Sequence, residues 1–130
     1  MSKPQILIVE DEVITAMEIQ SRLEDAGYAV IAIVSSAEEA IANLSSNRPD
    51  LVLMDIHLRG KMDGIEAAEA IRRRYDVAVV YLTAYTDGET LLRAKATQPD
   101  GYIFKPFEEW DIHTTVEMAL HKHKRERKIG

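Results

Sequence analysis

The chain has 130 residues, of which 46% are hydrophobic and 29% charged, as in an ordinary soluble domain. It has no cysteine, which excludes disulfides, thiolate metal sites and cysteine nucleophiles. The net charge of −6 divides into +4 for residues 121–130 and hence −10 for residues 1–120, and this acidic body argues against a nucleic-acid surface on the domain itself. The basic tail could touch phosphates, but a solvated helix end is the better explanation of its charge. No apolar run approaches the roughly 20 residues of a membrane span, and the N-terminus shows no signal peptide. We therefore expect a cytoplasmic protein without direct membrane contact.

Apolar runs bounded by turn-forming residues predict five strands, each followed by a segment with helical spacing. The strands are predicted at residues 5–9, 29–34, 51–54, 77–82 and 101–104. The first helix is predicted to run from Val13 to a C′ glycine at Gly27. Its apolar face is predicted to carry Ile14, Met17, Ile19 and Leu23.

Capping signals place the later helices. Ser35 or Ser36 is predicted to cap the second helix, and Asp63 followed by Glu66 has the spacing of a capping box for the third. A weaker helix is predicted over residues 87–97, and the last helix is predicted to begin near residue 108. Three aromatic residues are predicted to be core or helix-packing residues: Phe104, Phe107 and Trp110.

The central strand indicates the fold class. Residues 51–54 are all apolar and run directly into Asp55, which predicts a strand buried on both faces. Such strands belong to parallel sheets with helices on either side, and the crossovers are long enough for parallel pairing. The sequence therefore predicts a single doubly wound α/β domain of five βα units. In the flavodoxin-like strand order 2-1-3-4-5, the first and third strands are neighbours.

Polar residues follow four of the five predicted strands: Glu10 with Asp11, then Asp55, Thr83 and Lys105. Ligands of such sheets bind just beyond the carboxyl ends of the strands, so we expect these side chains to meet there. Carboxylates about 4 Å apart repel by on the order of 4 kcal/mol at an effective dielectric of about 20. Either one takes up a proton or a cation binds, and an all-oxygen site suits Mg²⁺.

Beside Mg²⁺, Asp55 can act as a nucleophile toward a phosphoryl group. The ion, Lys105 and the Thr83 hydroxyl would then each serve one phosphoryl oxygen, and the small Ala84 leaves room for the group to approach. Taken singly, these residues have ordinary explanations, because acids commonly cap helices and a Thr or Lys often ends a strand. The site is inferred from their combination.

The sequence strongly resembles a response-regulator receiver domain from Gln5 to about Leu120. The matching segments, in chain order, are Val9-Glu10-Asp11-Glu12, Met54-Asp55, Asp63-Gly64, Leu82-Thr83-Ala84 and Gly101-Tyr102-Ile103-Phe104-Lys105-Pro106-Phe107. The resemblance implies a phosphoprotein of a two-component phosphorelay, in which Asp55 accepts a phosphoryl group from a sensor histidine kinase. It implies no enzyme activity beyond Mg²⁺-dependent self-phosphorylation and self-dephosphorylation.

The same resemblance implies a role for each residue of the site. The protein ligands of Mg²⁺ would be Glu10, Asp11, Asp55 and the backbone carbonyl of His57. Lys105 would pair with the phosphate and Thr83 would swing toward it. Tyr102 would turn inward and change the surface of the fourth helix, fifth strand and fifth helix. The Lys105–Pro106 peptide bond is expected to be cis.

Three departures from the family pattern concern the loop after Asp55 and the positions that tune hydrolysis. Arg59 stands four residues after Asp55, where the family usually has proline, and the loop is one residue longer than usual. His57 and Tyr85 are bulky at the two positions that tune hydrolysis in the family. We expect Tyr85 to restrict the approach of water and so to make the phosphoryl group long-lived.

Two other functions fit less well. Phosphatases of the haloacid-dehalogenase type carry a second aspartate two residues after the nucleophile, whereas this chain has His57, which could still act as a general acid or base. A flavin or nucleotide site would need a glycine-rich first turn, and residues 10–12 are all acidic.

The last ten residues read differently from the rest. Residues 1–120 are predicted to be the receiver domain, and residues 121–130 a basic extension of the last helix. This extension has the character of a linker toward an output domain, although a frayed terminus would look the same. Analogy with the family suggests, in addition, a downstream protein partner and a homodimer that forms on phosphorylation.

Overall fold

The protein alternates strand and helix five times. The computed structural model describes residues 3–84 and 88–129, without the side chains of residues 109 and 127–129. The strands are β1 (Gln5–Val9), β2 (Ala29–Val34), β3 (Leu51–Asp55), β4 (Ala78–Ala84) and β5 (Gly101–Lys105). The helices are α1 (Val13–Asp25), α2 (Ala37–Ser46), α3 (Gly64–Arg74), α4 (Gly88–Ala96) and α5 (Glu109–Ile129). Within the described residues, no helix combines the length and the apolar character that a bilayer span requires.

All five strands pair in parallel in a single sheet, in the order β2-β1-β3-β4-β5. The predicted flavodoxin-like α/β fold is therefore confirmed. Val9 at the end of β1 pairs with Met54, and one step further Asp55 pairs with Leu82 of β4. This register brings the carboxyl ends of the strands level with one another at one edge of the sheet.

The side chains of alternate residues in the central strand point to opposite sides of the sheet. Val52 and Met54 face a core formed with α2, α3 and part of α4, whereas Leu51 and Leu53 face a core formed with α1 and α5. All four are completely buried. Burial of one such side chain contributes about 1.5–3 kcal/mol, so β3 holds Asp55 at the end of a firmly anchored strand.

Helix caps follow the predicted pattern. The Ser36 hydroxyl accepts the Glu39 N–H at 3.1 Å at the start of α2. Asp63 and Glu66 form the predicted capping box, in which each side chain accepts the other residue's N–H at 2.9 and 3.0 Å. Gly27, with φ of +98°, follows the C-cap residue of α1 and occupies the predicted C′ position.

The predicted apolar face of α1 is wrong in part. Ile14 and Met17 are 83% and 59% exposed, whereas Ala16, Ile19 and Leu23 are buried. A helix turns by about 100° per residue, so Met17 and Ile19, two positions apart, point in nearly opposite directions and cannot share one face. The small Ala16 takes the place on the buried face that the prediction gave to larger residues.

Trp110 was predicted to be a core or helix-packing residue, yet it is 67% exposed near the start of α5. The inward face of that helix is formed instead by Ile112, Val116 and Ala119, which are buried at helical spacing. Phe107 packs partly against this same core. Large apolar residues of α1 and α5 therefore remain at the surface.

Helix α5 continues without a break past residue 120. Its residues Lys122 and His123 lie 3.7 and 3.9 Å from Oδ1 of Asp100, whose side chain is fully buried. The other oxygen of Asp100 accepts the Val79 N–H at 2.9 Å. His123 also lies 2.7 Å from Asp76. The first residues of the basic extension therefore contact the edge of the sheet opposite the carboxyl ends of the strands.

Gly64 allows α3 to begin directly against the end of β3. A Cβ at this position would overlap the carbonyl oxygen of Asp55 and would lie 2.9 Å from the Cα of Ile56. The Gly64 N–H donates to the Ile56 carbonyl at 3.1 Å and so closes the loop between them. A glycine is required here by close approach to backbone atoms.

We predict that Gly64→Ala lowers the free energy of unfolding by about 1–3 kcal/mol, because a methyl group must displace the backbone around Asp55. The matched control is Gly88→Ala at the start of α4, where a Cβ would meet nothing within 4 Å. That change should be neutral or stabilising by up to about 1 kcal/mol. Urea unfolding of both variants checks this, and equal stability of the two would contradict the packing argument.

Candidate functional site

The predicted site residues meet where their strands end. Glu10 directly follows β1, Asp55 and Lys105 are the last residues of β3 and β5, and Thr83 is the next-to-last residue of β4. Glu10, Asp55 and Thr83 are 2%, 4% and 1% exposed. A cavity of about 180 Å³, large enough for several water molecules, opens above Asp55, Thr83 and Lys105.

The amine of Lys105 bridges two of the acids. Its Nζ lies 2.9 Å from Oε1 of Glu10 and 3.6 Å from Oδ2 of Asp55. Backbone N–H groups hold the remaining oxygens: the Glu12 N–H donates to Glu10 at 3.2 Å and the His57 N–H to Asp55 at 2.9 Å. Each of these two carboxylates is therefore oriented by one backbone donor and by the same amine.

Burial and the neighbouring charges shift the pKa values of Glu10 and Lys105. Burial, followed by contact with the Asp55 carboxyl, raises the pKa of Glu10 from 4.5 to about 7, although Lys105 and the Glu12 N–H act in the opposite direction. Burial also lowers the pKa of Lys105, but its hydrogen bond to Glu10 and the charge of Asp55 outweigh this effect. The net pKa of Lys105 lies above its usual value. The amine stays charged while Glu10 is ready to exchange a proton near neutrality.

The acids also satisfy the requirements of a cation site. One oxygen each from Glu10, Asp11 and Asp55 can be chosen so that all three lie within 4.8 Å of one another. Carboxylate oxygens are hard ligands, and a site with few protein ligands and room for water suits Mg²⁺ better than a soft metal. The donor set therefore fits the ion predicted from the sequence.

Arg59 is a member of the site that the sequence did not identify as one. Its Nε lies 3.6 Å from Oδ2 of Asp11, with the Arg59 side chain 91% exposed. The sequence marked Arg59 as a departure from a family pattern but gave no sign of its partner. The sequence feature that could have indicated this contact is the position of Arg59 in the loop after Asp55, because that loop must pass over the acidic edge of the sheet.

The residues expected to respond to phosphorylation lie around the same edge. The Thr83 hydroxyl donates to the Ala84 carbonyl at 3.2 Å and lines the cavity. The Lys105–Pro106 peptide bond is cis, as the family resemblance implies. Tyr85, expected to slow hydrolysis, lies outside the described residues.

Tyr102 lies on β5, where it pairs with Tyr81 of β4, two residues before the switch candidate Thr83. Its ring stacks on Phe104 at a centroid distance of 6.2 Å and an interplanar angle of 13°, and it lies 6.1 Å from the ring of Tyr81. Tyr81 is completely buried, whereas Tyr102 is partly buried against the core beside α3 and α4. An aromatic row therefore extends from the core to the surface of β5.

Comparison with known proteins decides the family. A family model for the response regulator receiver domain matches residues 6–117, most of the chain. The chain belongs to this family. Receiver domains are the signal-receiving domains of two-component regulatory systems and are signalling domains rather than classical enzymes.

Individual relatives agree with this assignment. The transcriptional regulatory proteins PdtaR of Mycobacterium tuberculosis and YvrH of Bacillus subtilis are 31% and 36% identical, over 89% and 92% of this chain. The matches cover 56% and 50% of those proteins, so this chain spans about half the length of the curated relatives. The signal receiver domain of a modulated diguanylate cyclase from Desulfovibrio desulfuricans superposes with a TM-score of 0.90 at 38% identity, covering 96% of this chain and 99% of that one.

The raised pKa of Glu10 predicts how the metal-free receiver domain responds to pH. The folded state favours protonated Glu10, so its contribution to stability is complete below about pH 4.5 and is lost as the pH rises through about 7. The free energy of unfolding of Glu10→Gln should therefore fall less over this interval than that of the wild type. Denaturant unfolding in EDTA measures the difference.

The control for this prediction is Glu12→Gln, because the Glu12 side chain is exposed and makes no capping hydrogen bond at the start of α1. Its stability should follow the wild-type pH dependence. An NMR titration should also place the Glu10 midpoint near 7. A midpoint close to the ordinary value of 4.5 would contradict the assignment of burial and Asp55 as the cause.

Proposed function

We propose that this receiver domain accepts a phosphoryl group on Asp55 from a sensor histidine kinase, with Mg²⁺ bound beside it. The observation that carries the proposal is the position of the Asp55 carboxylate. It is held between the His57 N–H and the Lys105 amine below an open cavity, with Glu10 and Asp11 adjacent. A carboxylate that served only to pair with Lys105 would need neither the cavity nor the two further acids.

The proposed transfer moves one phosphoryl group between proteins. An oxygen of Asp55 attacks the phosphorus of a phosphohistidine and forms a P–O bond as the P–N bond breaks. The imidazole nitrogen leaves with the electron pair of the broken bond and is neutral or takes up a proton from solvent. Lys105 pairs with one phosphoryl oxygen, and the Thr83 hydroxyl donates to another after turning from the Ala84 carbonyl.

Glu10, Asp11, Asp55 and the backbone carbonyl of His57 are the groups that we propose hold Mg²⁺. When bound, the ion neutralises charge on the phosphoryl oxygens. Lys105 is already paired with Glu10 and Asp55, so these two carboxylates are held close together before any ion binds. Self-phosphorylation and self-dephosphorylation are the extent of the proposed catalysis. Slow loss of the phosphoryl group through shielding by Tyr85 remains a further proposal.

The donor protein has an apolar surface to contact beside the acids. Val13, Ile14 and Met17 at the start of α1 are 70%, 83% and 59% exposed, and Ile33 of β2 is 38% exposed. Val13, Met17 and Ile33 line one cavity together with the acidic turn after β1. Exposed apolar residues clustered next to a reactive group are typical of a protein contact. We propose that the kinase covers this patch while its phosphohistidine reaches Asp55.

The proposed output is a change in the surface of α4, β5 and α5. Thr83 of β4 pairs with Phe104, and Tyr102 stacks on Phe104 from the same strand. Movement of Thr83 toward a phosphoryl group would therefore shift the rings of Phe104 and Tyr102, and Tyr102 would turn inward. We propose that an output domain, a downstream protein or a second copy of the chain reads this surface.

The curated relatives that are transcriptional regulatory proteins extend well beyond the part that matches. We therefore propose that residues 1–120 form the receiver domain and that residues 121–130 extend toward an output domain.

We predict that acetyl phosphate and Mg²⁺ add one phosphoryl group per chain, detected by intact-mass measurement. Asp55→Asn should abolish the adduct, because the amide is a poor nucleophile. The matched control Asp50→Asn, at the other end of β3, should retain it. Sustained turnover of p-nitrophenyl phosphate would indicate a phosphatase instead, and an adduct that persists in Asp55→Asn would refute Asp55 as the acceptor.

A further inference from the structure

The loop after β3 is built so that Arg59 projects over the acidic edge. Ile56 and Leu58 are 2% and 7% exposed and insert into the core beside α2 and α3. The intervening His57 and the following Arg59 are exposed and line the cavity above Asp55. Gly60, with φ of +114°, then turns the chain away. Two buried residues therefore fix the position from which the Arg59 side chain extends.

The positive charges around the three acids are divided between two side chains. Lys105 contacts Glu10 and Asp55, and Arg59 contacts Asp11 at 3.6 Å. Among the described residues, Arg59 is the one cation within ion-pair distance of Asp11. Without a metal ion, Arg59 therefore neutralises the carboxylate that Lys105 does not reach.

We infer that Arg59 tunes the affinity of the site for Mg²⁺ by competing with the ion for Asp11. This inference rests on the proposed metal site. A cation that binds Asp11 must displace the guanidinium or share a carboxylate oxygen with it, and in either case an existing attraction is weakened. Arg59 is thus a positioning residue that acts through Asp11, and its effect appears in metal binding itself.

The expected effect is modest, because the Arg59 side chain is 91% exposed and water screens the pair. Exposed ion pairs of this kind change an equilibrium by a factor of about two to five. Salt should reduce the effect further, because exposed charges are screened over about 10 Å at an ionic strength of about 0.1 M. The contact therefore adjusts the affinity for the ion and does not decide whether the ion binds.

The test is an NMR titration of the full chain with MgCl₂, following the backbone amides of residues 10–12 and 55–57. Arg59→Ala should lower the Mg²⁺ dissociation constant by about two- to fivefold. The matched control is Lys61→Ala, which removes the same charge from the same exposed loop and has no contact with Asp11. It should change the dissociation constant by less than about 1.5-fold. Raising the salt concentration should bring Arg59→Ala closer to the wild type.

Several results would overturn the inference. Equal affinities of Arg59→Ala and the wild type, or weaker binding by Arg59→Ala, would show that Arg59 does not compete for Asp11. Equal tightening in Arg59→Ala and Lys61→Ala would assign the effect to net charge rather than to the contact. These outcomes leave the proposed metal site intact, provided that the wild type shows saturable shifts at residues 10–12 and 55–57. Absence of such shifts in the wild type would instead refute the metal site, and the inference with it.

Discussion

The Lys105 amine lies 2.9 Å from Glu10 and 3.6 Å from Asp55, at a point where two almost fully buried carboxylates adjoin Asp11. Ionised carboxylates this close and this buried would repel one another strongly without a partner. The amine offsets part of that repulsion, and protonation of Glu10 near neutrality offsets another part. The site therefore has an excess of negative charge, which Arg59 offsets weakly and a divalent ion would offset fully.

Much of the site was predictable because it depends on sheet geometry rather than on loops. Once the strands were recognised, Asp55 and Lys105 had to lie at one edge, since parallel strands present their carboxyl ends together. The observed register then makes Glu10 and Thr83 level with them. Short apolar strands that end in polar residues can be recognised from neighbouring residues alone, and tertiary packing did not change where these strands form.

Features that depend on side-chain direction or on loop course were not predictable. The spacing of Ile14 and Met17 mixed two faces of α1, and the apolar residues left outside form a surface that a one-sided helical pattern does not anticipate. The contact of Arg59 with Asp11 requires the path of the loop, which two buried residues determine. Gly64 belongs to a motif that the sequence analysis recognised. The reason for a glycine there, its close approach to the Asp55 carbonyl, becomes visible only in the packed structure.

The central claim, that Lys105 keeps ionised acids together, is tested by the stability of Lys105→Met in EDTA at about pH 5 and about pH 8. Loss of the amine should raise the pKa of Glu10 beyond about 7, so ionisation of Glu10 should cost more as the pH rises. We predict that the variant is close to wild-type stability at the lower pH and less stable by about 1–3 kcal/mol at the higher pH. Equal loss of stability at both values, or no loss at either, would contradict the claim.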